Sequence, residues 1–297
     1  MKKLIVIAGP TASGKTSLSV ELANRLNAPI ISADSRQFYK ELEIGTAKPK
    51  PEEIKNVPHY FVDSHSVTEP LSSGQFEKEA LELTSELFKT NNFIILVGGS
   101  GMFINSLVYG SDQLPHRPEI REHWNQVLKE KGIEFLQNRL KEIDPNYYHQ
   151  VDLQNPVRLI RALEIFEITK QPYSSLRQQE ELQPRYSTAY FVIDYPREIL
   201  YDRINRRVDI MVQEGLFEEA KNNLQHRNLQ PLNTVGYKEI FRYLDGEISK
   251  EKAIELIKQN TRRYAKRQLT WFRKVKDAQW IKADKNDKMI ENIILHI

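Results

Sequence analysis

Residues 9–16 read Gly9-Pro10-Thr11-Ala12-Ser13-Gly14-Lys15-Thr16, the G-x-x-x-x-G-K-T pattern of a phosphate-binding loop. It constrains the fold because such a loop works only between a buried strand and the start of a helix. Both flanks comply. Leu4 to Ala8 is an unbroken apolar run, as a strand buried on both faces requires, and Leu18, Leu22 and Leu26 recur behind the loop at helical spacing. In this setting backbone amides close around phosphate oxygens and the helix N-terminus adds a favourable field. Lys15 reaches the outer phosphate, and the Thr16 hydroxyl can ligate Mg²⁺. Gly9 to Thr16 are therefore expected to hold a group bearing two or more phosphates. The motif alone does not specify ATP.

The rest of the composition narrows the class. A chain of 297 residues, 40% hydrophobic and 28% charged, can bury the core of one large domain or two. It has no cysteine, which removes disulfides, thiolate zinc sites and cysteine nucleophiles and fits a reducing compartment. No apolar run approaches the roughly 20 residues that span a bilayer. Met1-Lys2-Lys3 leads straight into a strand, so neither a leader peptide nor a membrane partner is expected, and the location expected is cytoplasmic. The net charge is only +3, so affinity for nucleic acid would have to come from clustered charge. The seven histidines show no metal-ligand spacing.

Further along, Pro29 to Ala33 reads as a second strand ending at Asp34-Ser35. The carboxyl ends of parallel strands are where α/β proteins keep their chemistry, which places Asp34 near the loop, as a helix cap or as a reacting group. Pro58 to Asp63 reads as a third strand, Phe76 to Phe88 as a helix, and Phe93 to Val97 as a fourth strand ending in Gly98-Gly99. An ATP-hydrolysing site usually carries an acid at that end. From about Asp112 the strand–helix alternation stops, and it returns only at Ala189 to Asp194. In between, apolar spacing marks helices around Ile120 to Leu128 and Phe135 to Ile143, and Asp144-Pro145 and Asn155-Pro156 each open another. The expected architecture is a P-loop NTPase-like parallel α/β core, residues 1–112 and 188–297, with a helical insertion at 113–187 that serves as a lid or substrate-binding subdomain.

Three basic groups stand out. Arg158 and Arg161 share a helix face opposite Val157, Ile160 and Leu163; they are either solvated, with Glu164 as local partner, or phosphate contacts. His116-Arg117-Pro118-Glu119-Ile120-Arg121 lies at the insertion's mouth. On the helix with Leu200, Ile204, Val208, Met211 and Val212 as its apolar stripe, Arg207 falls at the stripe's shoulder, with Arg203 and Arg206 further out. A cation bordering a buried face needs an anion, and guanidinium matches a diphosphate bidentately. The helix from Lys250 to about Arg273 carries Ile254, Ile257, Thr261, Tyr264, Gln268 and Trp271 along one seam, flanked almost only by positive charge. Such a helix points to nucleic acid.

Several segments together are specific to one family. They are the loop itself, Asp34-Ser35-Arg36-Gln37-Phe38-Tyr39, Ile44-Gly45-Thr46-Ala47-Lys48-Pro49, Pro58-His59-Tyr60-Phe61-Val62-Asp63, Ser73-Gly74-Gln75-Phe76 and Val97-Gly98-Gly99-Ser100-Gly101. Later come the runs Asn155 to Glu164, Thr234 to Glu239 and Thr261 to Gln268. The chain resembles the bacterial-type tRNA dimethylallyltransferases nearly end to end. It departs at Ser100-Gly101-Met102-Phe103, where Thr-Gly-Leu-Tyr is expected: Ser100 keeps the hydroxyl and Phe103 loses one. The resemblance implies transfer of a dimethylallyl group from its diphosphate to the N6 amine of the adenosine just 3′ of the anticodon. It implies that Asp34, Arg207 and Thr16 are catalytic, and that Gly9 to Thr16 with Arg203 bind diphosphate, Thr16 through Mg²⁺. It further implies tRNA contacts at Asp34, Ser35, Arg36, Gln37, Ser100, Arg121, Val157, Arg158, Leu159, Ile160, Arg161, Gly236, Tyr237 and Lys238. The expected partners are the anticodon stem-loop of tRNA and dimethylallyl diphosphate, with the enzyme a monomer. A small-molecule kinase would not need the basic C-terminal helix, and an adenylate prenyltransferase would not need the insertion. A non-catalytic RNA-binding GTPase or ATPase would leave Asp34-Ser35 unexplained.

Overall fold

The apolar run near the N-terminus forms β1 (Lys3–Ala8), and every residue from Leu4 to Ala8 is buried. Along the chain follow α1 (Lys15–Leu26), β2 (Ile30–Ser32), α2 (Pro51–Ile54), β3 (His59–Tyr60), α3 (Ser73–Thr90), β4 (Phe93–Gly98) and α4 (Gly101–Val108). Four helices come next: α5 (Pro118–Ile143), α6 (Pro145–Tyr148), α7 (Pro156–Thr169) and α8 (Tyr173–Leu176). The sheet resumes with β5 (Thr188–Asp194), then α9 (Arg197–Glu214), α10 (Leu216–Asn222), α11 (Tyr237–Leu244), α12 (Lys250–Phe272), β6 (Ala278–Lys282) and α13 (Asn286–Leu295). The structure, a computed structural model, describes residues 2–111, 114–177 and 183–297.

The six strands pair in parallel in the order β3-β2-β4-β1-β5-β6. Alternation along β1 sends Leu4, Val6 and Ala8 to one core and Ile5 and Ile7 to the other, so both faces of the sheet are covered. Register then brings three strand ends to one edge: Ala8 is level with Gly98, and Ser32 with Val97. This is the parallel α/β sheet with a P-loop-like core that the opening motif requires.

The chain divides into two units, Met1–Gly110 with Pro184–Ile297, and Ser111–Gln183. The boundary expected between residues 112 and 113 lies outside the described residues. The return to the first unit comes before 188 because Arg185 is anchored there, its Nη2 on Glu77 (2.6 Å) and its amide on the Val108 carbonyl (2.8 Å). In the helical unit, α7 packs on α5 around Leu136, Leu140, Leu159 and Leu163. Both Pro-marked starts are capped: Asp144 Oδ1 accepts the Tyr147 amide (3.0 Å) and Asn155 Oδ1 the Arg158 amide (3.3 Å). The two helices expected between Ile120 and Ile143 run end to end as α5, broken at Gly132 (φ 76°, ψ 174°).

Some boundaries differ from expectation for local reasons. Helix α3 begins at Ser73 rather than Phe76, because Ser72 and Gln75 form a reciprocal capping box. Strand β3 stops at Tyr60, since Phe61 (φ 61°) and Asp63 (φ 53°) leave the extended region. The buried seam of α12 is Ala253, Ile257, Ala265, Gln268 and Phe272, while Trp271 is 41% exposed. No described helix is long and apolar enough to cross a membrane.

Candidate active site

Three adjacent loops build the site at the carboxyl edge of the sheet: residues 9–14 after β1, Asp34 and Ser35 after β2, and Gly99-Ser100 after β4. The loop after β1 turns through Ala12 (φ 62°) and Gly14 (φ 84°) before α1 begins at Lys15. Long-range hydrogen bonds lock the loops together. Gln268 on α12, buried, accepts the Thr11 amide at Oε1 (2.9 Å) and donates Nε2 to the Gly99 carbonyl (2.9 Å). Ser100 Oγ accepts the Ser35 amide (3.2 Å) and donates to Ser35 Oγ (3.1 Å). A side chain at position 98 is excluded, because a Cβ there would sit 2.5 Å from the Ala33 carbonyl oxygen. At Gly99, the first residue after β4, a Cβ would lie 2.3 Å from Gln268 Nε2, so this turn is likewise packed too closely for a side chain.

A cavity of about 140 Å³ opens between these loops, α9 and α12. Its polar wall carries Lys15, Thr16, Asp34, Gln37 and Arg207, and its apolar wall includes Ile204, Val208, Met211 and Ile257. A wider hollow of about 1080 Å³ lies over residues 12–17 and Arg203. Lys15, Thr16, Ala47, Arg207 and Met211 border both, so the expected phosphate-holding groups stand where the two spaces meet.

The site is electrostatically unusual. Burial lowers the Lys15 ammonium to about 8, against the pull of Asp34 and with help from Arg207. Burial also lowers Arg207, with Asp34 opposing. Lys15 Nζ donates to the Pro10 carbonyl (2.7 Å), and Arg207 Nη2 makes a long bond to the Thr46 carbonyl (3.5 Å). Arg203 braces the loop, its Nε on the Ala12 carbonyl (2.7 Å) and its guanidinium over the Tyr195 ring. Asp34 Oδ1 accepts the Arg36 amide (3.1 Å), so the residue shapes its own turn as well as lining the cavity.

The residues expected to meet tRNA separate into groups. Asp34, Arg36, Gln37 and Gly236 line the cavity, and Ser35 and Ser100 adjoin it. Lys238 is exposed, but Tyr237 is fully buried with its hydroxyl on Glu219 (2.7 Å). In the helical unit Arg158 is exposed, and so is Val157 at 72%, contrary to its expected place on an apolar face. Leu159 and Ile160 are committed to the unit's core at 0% and 4%, so their side chains have no surface to offer RNA. Arg161 and Arg121 both hold the buried Glu164, at 3.0 and 2.8 Å, together with His116 Nδ1 (2.5 Å) and the Arg117 amide (3.1 Å). Burial by itself would raise Glu164, yet these bonds outweigh it and hold its carboxyl at about 2. The basic cluster at the start of α5 is thus a clasp on α7. Phe103 sits in an aromatic core with Phe38 (5.3 Å) and Phe76 (5.2 Å), where a tyrosine hydroxyl is not needed.

Two residues named on the α12 seam were not assigned to the site. Gln268 is the one polar side chain on the buried seam of α12, but its place on the seam does not show which loops it joins. Tyr264, on the same helix, lines the cavity with its hydroxyl on Ser100, and burial beside Asp34 raises its pKa.

Comparison with known proteins agrees with this geometry. The family model described as IPP transferase matches residues 37–275. A tRNA dimethylallyltransferase of Cytophaga hutchinsonii is 47% identical over 280 residues, covering 94% of this chain and 92% of the relative. One of Acetivibrio thermocellus is 43% identical over 304 residues, covering 99% and 96%. Among solved structures, the full-length tRNA isopentenylpyrophosphate transferase from Bacillus halodurans matches with a TM-score of 0.75 and 37% identity, over 100% of this chain and 96% of that one. A eukaryotic dimethylallyltransferase acting on tRNA matches with a TM-score of 0.83 and 25% identity, over 100% of this chain and 77% of that one. This chain belongs to the IPP transferase family, among its tRNA dimethylallyltransferases.

Proposed function

We propose that the protein transfers the dimethylallyl group of dimethylallyl diphosphate to the N6 amine of the adenosine 3′-adjacent to the anticodon in tRNA, releasing diphosphate. It does so as a monomer in the cytoplasm. The observation that carries this reading is a pair of half-buried, desolvated cations, Lys15 and Arg207, that share a cavity with Asp34 but form no ion pair with it. Among the described residues neither Lys15 nor Arg207 forms an ion pair, and the carboxylates nearest Arg207 in sequence go elsewhere, Asp202 to Arg206 and Asp209 to Lys258 (2.5 Å). Two desolvated cations against the single carboxylate of Asp34 leave positive charge in excess, and a diphosphate between the two supplies the compensating charge.

The chemistry follows from the walls. The amides of Ala12 and of residues 14–16, with Lys15 and Arg207, bind the diphosphate, while the Thr11 amide is held by Gln268 and Arg203 holds the loop in shape. As the donor's allylic carbon–oxygen bond breaks, its electron pair passes to the diphosphate oxygen, where those groups stabilise it. The N6 nitrogen of a base taken out of its stack forms the new bond to the allylic carbon, and its proton passes to Asp34. Thr16 lies on the wall of both spaces beside Lys15, and its hydroxyl would be the protein's ligand to a Mg²⁺ ion accompanying the diphosphate. Such an ion would supply further positive charge to the leaving group. The apolar wall takes the prenyl carbons. From the middle of α12 onward, Lys258 is paired with Asp209 and Arg262 bonds Asn205, which leaves Arg263, Lys266 and Arg267 on the helix and Arg273 and Lys274 just beyond it to meet RNA.

Calorimetry tests the donor half. Dimethylallyl diphosphate with Mg²⁺ should bind the wild type and bind Lys15→Ala and Arg207→Ala far more weakly. ATP hydrolysis stimulated by a small acceptor would instead make the protein a kinase.

A further inference from the structure

The geometry points to Glu219 as a positioning residue, which we propose fixes the 43–47 turn and through it the catalytic placement of Arg207. Glu219 lies on α10, outside the cavity wall, and no part of the proposed chemistry uses it. Yet its carboxylate is bonded four times. Oε2 accepts the amides of Glu43 (2.7 Å) and Ile44 (2.7 Å), and Oε1 accepts the Gly45 amide (2.8 Å) and the Tyr237 hydroxyl (2.7 Å). Three consecutive amides converging on one carboxylate leave the turn a single conformation, since charge-assisted bonds to backbone amides are among the stronger hydrogen bonds. Packing adds to this. A Cβ on Gly45 would lie 2.5 Å from the Tyr237 hydroxyl oxygen, so only glycine admits the tyrosine that completes the cluster.

What the turn presents on its other side gives the clamp its consequence. The Thr46 carbonyl accepts Gln37 Nε2 (3.3 Å) and Arg207 Nη2 (3.5 Å), and the Ala47 carbonyl accepts Gln37 Nε2 (3.2 Å). Ala47 is held in the left-handed region (φ 44°), which aims its carbonyl. Arg207 forms no ion pair among the described residues, and its bond to the Thr46 carbonyl is long, so the turn places the guanidinium chiefly as neighbouring cavity wall, with Gly45, Thr46 and Ala47 lining the same space. The line of contact runs from Glu219 to the three amides, to the Thr46 carbonyl and to Arg207. Asn223, four residues on, donates Nδ2 to the Glu41 carbonyl (3.2 Å) and ties the same helix to the start of the turn.

The inference rests on the prenyl-transfer reading, and its test separates the two. The wild type, Glu219→Gln, Glu218→Gln and Tyr237→Phe are assayed for prenyl transfer to tRNA, with thermal melting to confirm folding. Gln at 219 keeps one oxygen for two amides but turns an NH₂ toward the third. Because small misplacements of a catalytic group are costly, kcat/KM for the donor should fall roughly 10–100-fold with the KM for tRNA unchanged. Tyr237→Phe should fall a few-fold in the same sense, and the exposed neighbour Glu218→Gln should match the wild type. In an Arg207→Lys background, Glu219→Gln should cost less than about threefold, because a residue acting through Arg207 is not additive with it. A folded Glu219→Gln enzyme with wild-type donor kinetics would overturn the inference, and so would losses that multiply with Arg207→Lys. A wild type that transfers no prenyl group would overturn the underlying reading instead.

Discussion

In the proposed mechanism the chemistry turns on Asp34. Its carboxylate both accepts the Arg36 amide and lines the cavity with Lys15 and Arg207. Asp34→Asn keeps the size and the turn but removes the base, so kcat should fall about 10²–10⁴-fold with the affinity for donor diphosphate little changed. Single-turnover transfer beside calorimetry checks this, and turnover within a few-fold of wild type would reduce Asp34 to a turn former. Lys15 makes a pH prediction. Its folded value of about 8 lies below the ordinary 10.5, so above pH 8 the unliganded site holds a neutral amine. Binding a diphosphate then requires taking up a proton. Donor affinity should be flat below about pH 8 and fall up to tenfold per pH unit above it, a trend that Lys15→Arg abolishes. Folding stability moves the other way. Between pH 8 and 10.5 the unfolded chain binds the extra proton, so Lys15's contribution to stability rises with pH across that window.

At the scale of an element, α7 separates two arginines that look alike in sequence. Arg161 is bonded to Glu164 and to the Leu114 and Pro115 carbonyls, whereas Arg158 is exposed. Arg158→Ala should raise the KM for tRNA and leave the melting temperature unchanged. Arg161→Ala should lower the melting temperature by uncovering a buried carboxylate. Equal effects in melting and tRNA kinetics would contradict the division. Glu164, held at about 2 against an ordinary 4.5, contributes on the order of 3 kcal/mol above pH 4.5 that is lost as pH falls toward 2. Of the two readings offered for this face, the local partner fits Arg161, whereas Arg158 is exposed and its contact with RNA is what the kinetic comparison tests. Much else was legible because it is local. The loop, the flanking strand and helix and the two Pro-marked caps are each encoded within a few residues. The C-terminal β6 and α13 were not anticipated, since β6 is an edge strand with only Ile281 buried and shows no continuous apolar run. Nor were the ties made by Gln268 and Glu219, which join positions 257 and about 175 residues apart and leave no periodic trace.

For the whole molecule, the α/β unit carries every group assigned to the chemistry, while the helical unit and the exposed cations of α12 are assigned to RNA. Affinity for tRNA should therefore fall steeply with salt, by roughly one log–log slope unit per phosphate contact, while donor affinity depends far less on it. The most direct test of the account is the fate of a labelled prenyl group. The protein is incubated with Mg²⁺, labelled dimethylallyl diphosphate and either unmodified tRNA or AMP, and the nucleosides are mapped by mass spectrometry. The account predicts label on N6 of the adenosine immediately 3′ of the anticodon, released diphosphate in equal amount, and none on AMP. Label on AMP, label elsewhere in the tRNA, or no transfer at all would contradict it.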